Sequence, residues 1–363
     1  MSGLTRRRLL VGAAGAGLAA SLPPEAFAAA RLRHQPGIAT PAQSRMYFAA
    51  LDTSAASRSE LRELMRSWSV AAGKLQKQHR HAQLTVTFGF GPSLFDTGRY
   101  GLARPAALKP LPAFAGDALD PAKSGGDLAI QACADDAAVA EAAVTRLTKG
   151  HPVTARWSLA GFGRASSTSS RQRTPRNLMG FKDGTNNVKA DDGRAMAQHV
   201  WVAARDHPAW LRAGSYLVAR RIRMKLDEWD ATSVHDQERV IGRHKQSGAP
   251  LGGKHEHDRP NLRAGVSRGD PVIPTDAHIR LSSPDANGGM RLLRRSYNYR
   301  ESPADAGLLF LAYERNPRQF IAIQRRLGER DDALSAFIVH EGSALFACPP
   351  AASRGGYVGE RLI

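Results

Sequence analysis

Residues Tyr47 to Leu51 form a short apolar run that predicts a strand, and Leu84 to Phe88 alternate apolar with polar positions like a second strand. Between them Leu61, Leu64, Met65 and Trp68 recur at helical spacing. Ser57 with Glu60 supplies a capping box at the start of that helix. Residues 91–125 are rich in Gly, Pro and Leu and read as a long surface excursion. Asp127 to Ala132 then predict a strand, Asp136 to Leu147 a helix, and Thr154 to Leu159 a strand. The order β-α-β-β-α-β is the ferredoxin-like pattern.

Gly161 to Asn177 form a linker dominated by Ser and Arg. Beyond it Ser215 to Trp229 reads as one long alternating strand, Val234 to Arg243 as a short helix, and Gly248 to Gly269 as a loop. Leu308 to Tyr313 predict a strand, Pro317 to Leu327 a helix, and Ser343 to Ala347 a strand. The second half thus follows the order of the first with large insertions, without repeating its sequence. We divide the chain into residues 29–165 and 166–363.

The first 28 residues read as an export signal rather than fold. Thr5-Arg6-Arg7-Arg8-Leu9-Leu10 is a twin-arginine pattern, an apolar run follows from Leu9 to Leu22, and Ala26-Phe27-Ala28 is a small-x-small cleavage site. That apolar run is too short to span a bilayer well. Export of a folded protein to a periplasmic or extracellular location is the expectation. Residues 29–45 look like an extended arm.

The chain has 363 residues and a formal charge of +18, most of which remains without residues 1–28. The arginines are scattered rather than striped, and no nucleic-acid motif is present. The basic surface suits anionic substrates instead. Cys133 and Cys348 both sit in apolar runs, outside any C-x-x-C motif, and read as buried free thiols.

The chemistry centres on Gly180-Phe181-Lys182-Asp183-Gly184-Thr185-Asn186-Asn187. Its glycines permit positive φ and close approach of a flat ligand, and Asp183 is a candidate proton shuttle. Its company is Asp276-Ala277-His278-Ile279-Arg280 and Leu293-Arg294-Arg295-Ser296-Tyr297. A carboxylate, a histidine and an arginine are the parts a haem peroxidase needs. Among twelve histidines, His278 stands apart, just after a loop and before an apolar residue. Most others lie in polar surroundings, and His255-Glu256-His257-Asp258 lacks the H-E-x-x-H spacing of a metal site. A ligand imidazole needs an acceptor on its second nitrogen, for which Asp276 and Glu314 are candidates. Arg294 and Arg295 compete for the charge-stabilising role, since adjacent strand residues face opposite ways.

With these residues the chain resembles the dye-decolorizing peroxidases, most of all their exported twin-arginine branch, which includes the periplasmic deferrochelatase/peroxidases. His34-Gln35-Pro36-Gly37-Ile38, Gly125-Gly126-Asp127-Leu128, Asn177 to Thr185 and Gly248-Ala249-Pro250-Leu251-Gly252 match family blocks in order, over nearly the whole chain from His34. The resemblance implies an α+β fold of two ferredoxin-like halves, each an antiparallel sheet with peripheral helices, with haem in the second half. It implies one haem b per chain, His278 as proximal iron ligand, Asp183 as distal acid–base and Arg294 as distal arginine. Gly184, Thr185 and Asn186 would lie against the haem. It also implies hydrogen peroxide as oxidant, an aromatic or anionic reducing substrate such as a dye or phenol, no nucleic acid, and a homo-oligomer. Tyr297, Tyr299, Trp201, Trp210 and Trp229 are candidates to pass electrons to bulky donors. The alternative is a haem-handling protein of iron uptake, a deferrochelatase that releases iron from haem and works with iron-uptake components. Asn186 departs from the smaller residue common in relatives, and Ser296 stands where Gly is frequent.

Overall fold

The computed structural model describes residues 34–363 apart from Thr97 and His207. The export-signal segment and the first part of the extended arm lie outside the described residues.

The first half contains β1 (Arg45–Thr53), α1 (Arg58–Gln78), β2 (Thr85–Phe90), β3 (Leu128–Ala134), α2 (Ala137–Thr148) and β4 (Val153–Arg164). Helix α1 starts where its sequence says it should. Ser57 Oγ accepts from Glu60 N at 3.2 Å, and Glu60 reaches back to accept from Ala56 N at 2.9 Å. Its buried face is Leu61, Leu64, Met65, Trp68 and Ala72, the apolar stripe read from the spacing.

The second half contains α3 (Gly193–His199), β5 (Ser215–Met224), α4 (Leu226–Ala231), α5 (Val234–Ile241) and α6 (His278–Leu281). Then come β6 (Leu293–Arg294), β7 (Tyr297–Arg300), β8 (Ala306–Glu314), α7 (Arg318–Glu329) and β9 (Ile338–Cys348). The long strand expected from Ser215 to Trp229 ends early, at Met224. Lys225 N donates to Phe337 O at 2.9 Å, and the chain then turns into α4, with Asp227 and Glu228 favoured in its first turn. The turn buries Trp229 completely, edge-on to Phe181 and Phe337, with Nε1 donating to Met179 O at 3.0 Å.

The described strands form one antiparallel sheet, in the order β5-β9-β2-β3-β1-β4-β7-β8-β6. A further β5–β8 pairing closes it into an eight-stranded ring, with β6 added beside β8. This corrects the expectation of a separate sheet in each half. The edges β4 and β2 do not stay open but pair with β7 and β9 of the other half, which removes exposed backbone donors and acceptors.

Alternate side chains point into the ring, where Phe48, Leu159, Leu217, Leu311, Tyr313 and Phe346 pack together. Both cysteines lie in this interior as buried free thiols. The outer face of the first half packs beneath α1 and α2. Residues 91–125 are more than a surface excursion. Tyr100 and Leu108 are buried in the core, and Asp117 forms a parallel bridge with His340 of β9.

Candidate functional site

A cavity of about 700 Å³ lies in the second half, outside the ring, bordered by outward-facing residues of β5, β8 and β9 and by loops from 177–187 and 256–262. Its volume falls within the range of cofactor pockets. Ile222, Leu308 and Phe310 supply apolar wall, while the polar groups gather in two places.

The first is the glycine turn. Gly180 and Gly184 have φ of +84° and +89°. A Cβ on Gly184 would lie 3.1 Å from Ser166, so the turn requires glycine by both backbone and space. The turn sets Asp183 on the cavity wall, where Arg294 Nη2 donates to Asp183 Oδ1 at 2.5 Å. Asn177 Nδ2 donates to the other carboxylate oxygen at 3.4 Å. Strand alternation separates the two neighbouring arginines. Arg294 borders the cavity, whereas Arg295 is fully buried in the interior, donating to Thr40 O and Gln43 Oε1.

The second is His278, the first residue of α6. Its Nδ1 pairs with Asp332 Oδ2 at 2.8 Å. The imidazole keeps 31% of its side-chain surface open, and it borders the cavity; Asp332 is only 2% exposed. Burial works against the imidazolium, but the charge and hydrogen bond of Asp332 outweigh it, and the pKa of His278 is raised. The acceptor is therefore Asp332, and neither candidate read from sequence. Asp276 meets this region through its carbonyl, which accepts from Ala333 N, and Glu314 ends β8 with its carboxylate buried, accepting from Phe320 N of α7. In sequence Asp332 lies 54 positions from His278. Its only local signal is that of a cap, since its Oδ1 accepts from Leu334 N.

The structure brings Asp183, Gly184, Thr185, Asn186, His278 and Arg294 together on one cavity. Sequence reasoning missed Arg220 and His340, and considered Glu256 only as part of a metal run; all three also border the cavity. Arg220 is buried, ion-paired with Asp117 and stacked over Phe114. Glu256 pairs with Lys182 at 2.5 Å and accepts from Thr185 Oγ1 at 3.2 Å. The run 255–258 is thus spent on loop contacts. Asp258 accepts from Lys254 N and His255 N, and no metal-binding cluster of His, Cys, Asp and Glu occurs among the described residues.

The candidate aromatic relay residues are dispersed. Trp229 packs on Phe181, which borders the cavity; Trp201 stacks on His34 at 3.6 Å; Tyr297 and Tyr299 lie in the ring interior. The cavity fits haem by its donors. An imidazole held through one nitrogen leaves the other for iron, in an apolar chamber that also contains a carboxylate and a guanidinium.

Comparison with known proteins agrees in both halves. The family model described as Dyp-type peroxidase, N-terminal, matches residues 35–163, and the one described as Dyp-type peroxidase, C-terminal, matches residues 174–353. A dye-decolorizing peroxidase of Thermobifida fusca (strain YX) is 41% identical, over 91% of this chain and 83% of that one. A deferrochelatase of Escherichia coli (strain K12) is 34% identical, over 91% of this chain and 86% of that one. The solved structure of ferric DtpA from Streptomyces lividans superposes with a TM-score of 0.83 at 43% identity, covering 91% of this chain and 95% of that one.

Proposed function

Because the chain belongs to the Dyp-type peroxidase family, we propose that its second-half cavity divides the labour of a haem peroxidase among Asp183, Arg294 and His278. The enzyme uses hydrogen peroxide to oxidise a reducing substrate, with haem as its cofactor. Bound haem supplies the iron centre at which peroxide is reduced to water.

His278 would hold the iron of a bound haem, since its Nδ1 is already taken. Asp332, bonded to Nδ1, fixes the tautomer and raises the basicity of the ring. Asp183 takes the proton from one peroxide oxygen and returns it to the other. Arg294 offers a charge that does not titrate, stabilising the negative charge that develops on the departing oxygen. Gly184, Thr185 and Asn186, which line the same cavity, would help to hold the haem. The observation that carries this reading is that the Arg294–Asp183 and His278–Asp332 pairs open onto one cavity.

We further read each half as ferredoxin-like in strand order, β2-β3-β1-β4 and β7-β8-β5-β9, with the boundary at 165/166. The twin-arginine pattern supports export to a periplasmic or extracellular site, and the basic surface favours anionic or aromatic donors. We take the working form to be a homo-oligomer. The likeness to deferrochelatases supports a second reading, iron release from haem alongside iron-uptake components. Haem-loaded protein incubated with peroxide and an anthraquinone dye decides between them. Sustained dye oxidation supports the peroxidase assignment. Stoichiometric iron release leaving intact porphyrin, without turnover, would replace it with the second reading.

A further inference from the structure

The Asp183 turn and the Arg294 strand are far apart in sequence, yet one side chain joins them in the manner of a paired strand. Asn187 Oδ1 accepts from Arg294 N at 2.7 Å, and Asn187 Nδ2 donates to Arg294 O at 2.8 Å. The same Nδ2 donates to Ser167 O at 2.8 Å, and Asn187 is 4% exposed. The amide therefore sets the register between the glycine turn and β6.

A second side chain supports this junction from behind. Lys189 Nζ donates to Ser167 O at 3.0 Å, to Ser167 Oγ at 2.5 Å and to Gly184 O at 3.4 Å. It thus binds the carbonyl that Asn187 uses and the residue next to Asp183, without bordering the cavity. A lysine has no obvious reason to sit here for charge alone, because Arg294 and Arg291 both repel it, with Asp191 and Glu256 the opposing carboxylates.

We propose that Lys189 is a positioning residue of the peroxide step, its ammonium tying Ser167 and Gly184 together so that the Asn187 clamp holds Asp183 in register with Arg294. The inference rests on the roles given above to Asp183 and Arg294. Burial, followed by the repulsion of Arg294, brings the Lys189 pKa down to about 8. The tie is therefore mostly charged in neutral solution and is lost as pH rises through that value. Small misplacements of a reacting group can cost about 100-fold.

The test compares haem-loaded wild type, Lys189→Met and Lys189→Arg. It reads the rate of reaction with one equivalent of hydrogen peroxide, the haem content and the melting temperature across neutral and alkaline pH. Methionine keeps the length and removes the charge. We expect Lys189→Met to slow the peroxide step by about 10- to 100-fold at neutral pH, with haem content and dye saturation unchanged. The ratio of wild-type to Lys189→Met rate should fall toward unity as pH passes about 8; this ratio cancels titrations common to both. Lys189→Arg should restore the neutral rate and keep it at alkaline pH. A ratio that stays constant with pH, accompanied by loss of haem or of melting temperature, would show a merely structural lysine and overturn the proposal. So would a Lys189→Met rate equal to wild type. A wild type that does not react with peroxide would instead sink the peroxidase assignment beneath it.

Discussion

Nδ1 of His278 lies 2.8 Å from Oδ2 of Asp332, a carboxylate only 2% exposed. A buried anion on that nitrogen makes the imidazole a stronger donor through the other, which favours the more oxidised state of a bound iron. Asp332→Asn keeps the shape and removes the charge. We expect a more positive haem reduction potential by spectroelectrochemistry and a peroxide reaction about 10- to 100-fold slower. An unchanged potential would mean that Asp332 serves only as the cap of its own turn.

The Asp183–Arg294 pair invites separate deletions. Asp183→Asn removes the proton carrier and should slow the peroxide reaction by about 10²- to 10⁴-fold. Arg294→Leu removes the fixed charge and should cost about 10²- to 10³-fold. Because the two groups touch, the double variant should lose less than the product of the single losses. Stopped-flow mixing with peroxide measures all three; strict multiplicativity would argue that the pair does not act as a unit.

Arg220 and Asp117 form a buried ion pair between the two halves, at 1% and 8% side-chain exposure. Removing one charge leaves the other buried and uncompensated. Asp117→Asn should destabilise the fold by about 3–5 kcal/mol, read by denaturant unfolding. A loss within about 0.5 kcal/mol would place the pair among ordinary surface contacts.

Glu314 is fully buried, and its carboxylate accepts only from Phe320 N among the described residues, with Oε1 unpartnered. Burial pushes its pKa well above the usual carboxylate range. The folded state therefore holds a proton that the unfolded chain releases, so this group lowers stability as pH rises above the ordinary glutamate value. Glu314→Gln removes that penalty. We expect a higher melting temperature than wild type at about pH 7 and little difference at about pH 4. An equal effect at both would reject the ionisation argument.

Much of this was legible in the sequence because its signals are local. The α1 stripe and the Ser57–Glu60 cap each act within a few residues, and both formed as read. The glycine turn was legible for the same reason, since Gly184 needs its conformation whatever lies around it. What failed depended on distant partners. Ring closure rests on β4 meeting β7 and β2 meeting β9, pairings that no alternation encodes. Trp229 left its predicted strand to bury against Phe181 and Phe337. Asp332 looks like a turn cap until the fold brings His278 to it. Likewise alternation separates Arg294 from Arg295 but cannot say which faces the cavity; only Thr40 and Gln43 on the far side decide.

The account stands on His278 as the residue that would hold the iron. Its most direct test is the visible spectrum of haem-loaded protein before and after one equivalent of hydrogen peroxide, in wild type and in His278→Ala. We expect a ferric haem band in wild type that changes on peroxide addition and recovers with a reducing dye. In His278→Ala the ferric band should be altered or missing and the peroxide response abolished. A His278→Ala protein with the wild-type band and the wild-type response would contradict the account.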